Sequence, residues 1–170
     1  MSTATTETGE IQSYRLHARI THSCVQANTA GVTQEESLRQ PQPGGNCLNW
    51  VVGHLCCIYN NALPLFGQEP VVDKALLTRY DRGSAPITDP AEALPISQLV
   101  EIWDQLSARV GAGIGTLTPE YLDQPAPFSP SGNPDETNRS LVTTVLFHQA
   151  YHSGQTGVLR RVAGHEGAIK

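Results

Sequence analysis

The chain has 170 residues, 39% of them hydrophobic and 16% charged, with a net charge of -5. It is long enough to bury a core and too apolar to stay unfolded, so one globular domain is expected over residues 10–170, after a disordered tail at 1–9. The acidic balance argues against nucleic acid as a partner, no apolar run is long enough to span a bilayer, and the Thr- and Glu-rich start lacks the basic-then-apolar pattern of a signal peptide; the expected location is the cytoplasm.

The first predicted helix runs from about Glu10 to Ala30. Ile11, Tyr14, Ala18, His22, Val25 and Thr29 recur on one face at steps of three and four, and Gly31 is its stop. A polar stretch ending in Pro41, Pro43, Gly44 and Gly45 leads to Asn46, the expected N-cap of a second helix from Cys47 to Phe66. That helix carries Cys47, Trp50, Val51, His54, Cys57, Ile58 and Asn61 on one stripe. The connection from Gly67 to Leu94 is long and broken by prolines, with a short helix expected over Val72 to Tyr80.

A third helix begins near Pro95 and shows Leu99, Ile102, Trp103, Leu106 and Val110 on its apolar face. Gly111, Gly113 and Gly115 weaken its end. Thr118-Pro119-Glu120 could start another short turn, and Pro125 to Asp135 reads as an irregular loop. The fourth helix spans about Asn138 to Ala163, stopped by Gly164, with Leu141, Val145, His148, His152, Gln155 and Leu159 on one face. Long helices without β-alternation predict an all-α four-helix bundle with a long irregular connection between helices two and three.

His148 and His152 are four apart, which places both rings on one face about a turn apart. Two imidazoles so placed can reach one ion through bonds of roughly 2 Å. Two unrelated histidines would give the same spacing. What separates the readings is context: both lie on an apolar face, and a third, His54, lies on the apolar face of another helix, where satisfied polar partners are scarce. Bundles build metal sites from facing helices in this way. Three ligands leave a fourth position open, the mark of a catalytic site. Imidazoles suit zinc, nickel, copper or iron alike.

The run Asn46 to Leu55, N-C-L-N-W-V-V-G-H-L, and the run His148 to Arg161, H-Q-A-Y-H-S-G-Q-T-G-V-L-R-R, resemble the second-helix and last-helix motifs of the DinB/YfiT-like metalloenzyme family. The order and separation of the motifs match as well. The resemblance implies a four-helix bundle, often a homodimer, with one divalent ion (zinc or nickel foremost) on His54, His148 and His152. It implies as activity the S-transfer of a low-molecular-weight thiol, of the bacillithiol or mycothiol type, to a small-molecule substrate. Some relatives are maleylpyruvate isomerases, but these carry an additional domain with no counterpart in these residues. A metal-dependent hydrolase and a non-catalytic metal- or ligand-binding stress protein are the alternatives.

Other residues carry two readings each. Gln155 can brace His152 from three residues away or make a helix–helix contact. His22 could be a general base near the ion or a core histidine. Tyr14 and Tyr151 are candidate proton donors or rim tyrosines. Cys57 could approach the ion from His54+3, whereas Cys47 is roughly 10 Å away along the axis and could only line a pocket. The four cysteines, Cys24, Cys47, Cys56 and Cys57, form no C-x-x-C pair and are expected to be free. Trp50 and Trp103 are expected core anchors, Asn49, Asn60 and Asn61 are left open between pocket, dimer and water, and Gly154 and Gly157 are expected to admit a neighbouring helix or a second subunit.

Overall fold

Four long helices form the frame: α1 (Gly9–Thr29), α3 (Leu48–Ala62), α5 (Ile96–Ile114) and α7 (Asn138–Val162). Three single-turn helices, α2 (Gln34–Ser37), α4 (Lys74–Leu77) and α6 (Pro119–Leu122), lie in the connections. These come from a computed structural model that describes residues 9–169. The expected tail at 1–9 lies outside them except for Gly9, which opens α1.

Local chemistry sets the helix ends. Gly31 and Gly164, at φ 75° and 97°, stop α1 and α7 where a left-handed residue is needed. Thr137 caps α7 by accepting from Ser140 N, while Ser140 Oγ accepts from Thr137 N–H. The expected N-cap Asn46 is not the cap of α3. Cys47 holds the extended cap conformation instead (φ -72°, ψ 170°), and Asn46 Oδ1 is buried without a partner. The second helix is also shorter than expected: after Ala62, Pro64 tightens Leu63–Phe66 into a 3-10 turn.

α1 packs on α5 and α7, and α3 packs on the same two helices. The bundle therefore closes in the order α1, α5, α3, α7, with α1 diagonal to α3 and α5 diagonal to α7. Its core is sealed by Trp103, which stacks flat on Tyr59 at a centroid distance of 5.1 Å. Cys47, Cys56 and Cys57 are buried and Cys24 is half-buried, and all four are free, as expected. Among the described residues there is no strand beyond the isolated bridge Pro125–Thr137. None of the described helices is long and apolar enough to cross a membrane.

The connection between α3 and α5 is fastened to α3 by two asparagines the sequence left unassigned. Asn60 Nδ2 donates to the Val72 carbonyl, and its Oδ1 accepts from Val71 and Val72 N–H. Asn49 Nδ2 donates to the Leu94 carbonyl, and its Oδ1 accepts from the Tyr80 hydroxyl at 3.1 Å. Buried amides in an apolar helix are costly unless both ends are paired, and here they are. Their effect is to lay residues 71–94 along α3, beside His54. Gly154 is not explained by packing within the chain, since a Cβ there would meet nothing within 4 Å. A Cβ at Gly157 would make only ordinary contact with Asn28.

Candidate metal centre

His54 on α3 meets His148 and His152 on the adjacent α7. One ring nitrogen from each lies within 4.8 Å of the others. His54 Nε2 and His148 Nε2 are 3.2 Å apart. A tetrahedral ion with bonds of ~2.0 Å places its ligand nitrogens about 3.3 Å apart, so this separation is that of a coordination edge.

The outer nitrogens are held so that the inner ones keep their lone pairs. His54 Nδ1 lies 2.8 Å from the Tyr80 carbonyl. A carbonyl can only accept, so the proton is on Nδ1 and Nε2 faces the centre as a base. His152 Nδ1 donates to Gln155 Oε1 at 2.8 Å, which fixes that ring in the same sense. His148 Nδ1 is buried without a partner, and so is Gln149 Oε1, whose amide is pinned by donation from Nε2 to the Leu55 carbonyl at 2.9 Å. Gln149 is close enough to favour a proton on His148. Coordination through Nε2 would move the His148 proton to Nδ1, beside that waiting acceptor. The donor set thus fits a divalent ion.

All three imidazoles are held neutral. Burial drives His148 down to about 4, with His152 and His54 adding to the fall. Burial likewise lowers His54, against the opposing Tyr80 hydrogen bond, and lowers His152 against Gln155. A neutral imidazole is the form that ligates.

Trp50 is more than a core anchor. Its indole stacks on His54 (centroids 4.8 Å apart, 16° between planes) and its Nε1–H donates to Ser84 Oγ at 2.9 Å. Gly53, one residue before the ligand, lets the Tyr80 ring lie on α3: a Cβ there would stand 2.1 Å from Tyr80 Cδ1. Residues 80–84 are thus anchored at both ends against the helix that carries His54.

In front of the three rings opens a cavity of about 560 Å³. Its walls are mostly apolar, with Trp50, Ile58, Phe128, Leu141 and Val145 foremost; Asn61, Thr144 and Arg82 bring the polar groups, and among the described residues no carboxylate lines it. Phe128 and Pro130 come from the loop before α7, a contribution that no periodicity announces.

The other candidates are placed elsewhere. His22 is not beside the centre and is only half-buried; its Nε2 pairs with Asp104 Oδ1 at 2.8 Å in a groove between α1 and α5. Tyr14 donates to Glu10 Oε1. Tyr151 is 59% exposed and sets its ring edgewise on His152 at 5.2 Å, outside the cavity lining. Cys57 is not among the grouped ligands; burial raises its thiol to about 11, and its Sγ accepts from Asn61 Nδ2. Cys47 is fully buried and lines none of the described cavities around the centre. Asn61, by contrast, is exposed at the cavity wall.

The sequence profile of the DinB superfamily matches residues 21–156, a span that contains α3, α5 and all three histidines. The chain belongs to the DinB superfamily. No curated protein matches it. Among solved structures it is similar to one described as the conserved protein of a locus from Enterococcus faecalis, at 17% identity and a TM-score of 0.68, covering 89% of this chain and 95% of that one. At that identity the likeness concerns the fold.

Proposed function

We propose that this DinB superfamily protein is a divalent-metal-dependent enzyme that transfers a low-molecular-weight thiol to a small electrophile. The observation that carries this reading is the pairing of three neutral imidazoles on one point with a cavity whose described lining holds no carboxylate. A divalent ion with three protein ligands would supply Lewis acidity and would favour the thiolate over the thiol in its remaining position.

The chain's own residues do the rest. The Tyr80 carbonyl and Gln155 Oε1 orient His54 and His152 by accepting hydrogen bonds from their Nδ1–H groups. Trp50 covers one face of His54 and keeps water from it. The apolar walls reduce competition from water around the reacting groups. The thiol proton would pass to solvent on binding, and the sulfur would form a carbon–sulfur bond as the electrophile's leaving group, chloride in the probe below, departs with its electron pair; no separate base is then needed, in agreement with a described cavity lining that offers none.

The test is to load the protein with zinc or nickel and follow consumption of bacillithiol, mycothiol or glutathione with a chlorinated aromatic electrophile. Thiol loss that depends on metal and disappears in His148→Ala is expected. Loss unaffected by the protein with every thiol would overturn the transferase reading. Metal-dependent cleavage of esters or amides by the same preparation would replace it with a hydrolase.

A further inference from the structure

The cavity in front of the three histidines is sided. Its body is apolar, and among the described residues the one charged side chain in its lining is Arg82. That arginine is exposed, and no described hydrogen bond or ion pair engages its guanidinium, while its backbone N–H is bound by Asp81 Oδ1 at 2.8 Å.

Its position is built rather than incidental. Arg82 stands between two anchors. On one side Tyr80 gives its carbonyl to His54 and its hydroxyl to Asn49. On the other Ser84 accepts from Trp50. Gly83, at φ 83°, makes the turn between them and lines the cavity too. The same short segment therefore orients a ligand of the metal centre and presents a cation to the space before it.

Charge then selects the ligand. Asp81 acts on His54 from behind the lining, but a divalent ion and Arg82 would make the charge on the described cavity wall itself positive, in a chain whose net charge is -5. An anion is favoured there and a cation is not. A planar guanidinium suits a carboxylate in particular, through two parallel hydrogen bonds.

We propose that Arg82 is the specificity-determining residue of this site, and that it selects small molecules with an apolar body and a carboxylate remote from the atom that meets the metal. This rests on the three-histidine centre holding an ion, but not on any turnover.

The test uses the full chain loaded with cobalt(II), whose absorption reports thiolate binding. The probes are 3-mercaptopropionate and 6-mercaptohexanoate, each against the mercapto-alcohol of equal length. In the wild-type protein at least one acid should bind about tenfold more tightly than its alcohol, as the loss of one charge-assisted pair implies. Arg82→Gln should bring that ratio to about one while leaving the alcohol's affinity unchanged, and Arg82→Lys should restore part of it. An acid-to-alcohol ratio that is the same in wild type and Arg82→Gln overturns the assignment. Failure to bind cobalt overturns the metal reading, and this assignment with it. Cobalt binding with no thiol transfer leaves the ratio measurable, so the two readings fail separately.

Discussion

Replacing Gly53 by alanine should weaken this protein, although helix propensity alone says the opposite. In an unconstrained helix interior the change stabilises by about 1 kcal/mol. Here the new methyl would stand 2.1 Å from Tyr80 Cδ1, 2.4 Å from Cγ and 2.5 Å from Cε1. Carbon atoms in contact prefer about 3.5–4.0 Å, so the ring must retreat by roughly 1.5 Å. The ring is not a free end. Its hydroxyl donates to Asn49 and accepts from Leu94 N–H at 2.7 Å, and the same residue's carbonyl holds His54 at 2.8 Å. A shift of that size takes these bonds beyond hydrogen-bonding distance. Overpacking costs about 1–3 kcal/mol, and each bond lost adds about 1 kcal/mol, so a loss of roughly 2–5 kcal/mol is expected in denaturant unfolding of the metal-free protein. His54 also loses the partner that fixes its ring, and metal affinity should fall about 10- to 100-fold in competition with a chromophoric chelator. Tyr80→Phe separates the two effects: it removes the hydroxyl bonds but keeps the ring and the carbonyl, so it should cost stability while leaving affinity within about threefold of wild type (a smaller change than loss of the ring's partner brings). A Gly53→Ala protein as stable as wild type, with unchanged affinity, would refute the reasoning.

Three further outcomes are expected. His148→Ala should retain little divalent metal after loading and dialysis, measured by elemental analysis. Metal at a free concentration 100-fold above its Kd should add about 2.7 kcal/mol to the wild type but nothing comparable to the variant, a difference of roughly 5–10 °C in Tm. Gln155→Ala should weaken metal binding about tenfold, because His152 loses the acceptor for its Nδ1 proton, while leaving metal-free unfolding nearly unchanged; equal affinities would show that the ring is held by packing alone. Glu36 gives the acid limb its sign. The Thr33 backbone N–H and His165 hold its carboxyl down at about 2, against 4.5 unperturbed. A depressed carboxylate contributes stability that is present above about 4.5 and is lost as the pH falls toward 2. Glu36→Gln should lower the unfolding midpoint at pH 7 and flatten its fall across that window, so that the two proteins converge as the pH approaches 2.

The grouping of His54, His148 and His152 was legible because a helix repeats every 3.6 residues and a bundle buries one stripe of each helix. Periodicity tells which way a residue faces but not which neighbour it meets. His22 is the instructive miss: it lies on the side of α1 that faces α5, and α1 is diagonal to α3, so it meets Asp104 of α5 and not the three-histidine cluster. Asn49 and Asn60 were legible only as misfits in an apolar helix, because their partners lie in the α3–α5 connection. Tyr80, Arg82, Ser84 and Phe128 carried no signal of their own, since irregular backbone has no period to read. Gly53 carried a weak one, a glycine in mid-helix directly before a candidate ligand, and such a position asks what passes close by.

His54 and His148 stand 94 positions apart along the chain and touch only because α3 and α7 lie side by side. Closing a loop of that length costs about 4 kcal/mol of chain entropy before any contact forms, by the logarithmic scaling of loop closure. The cluster is therefore a long-range contact, of the kind that slows folding. During synthesis the chain has no site until α7 has emerged and docked. Before α7 emerges a metal would meet one histidine on α3, and once α7 has emerged but not docked it would meet that histidine and a separate helical pair. An ion held by all three rings is a sign that the two ends of the bundle have found each other.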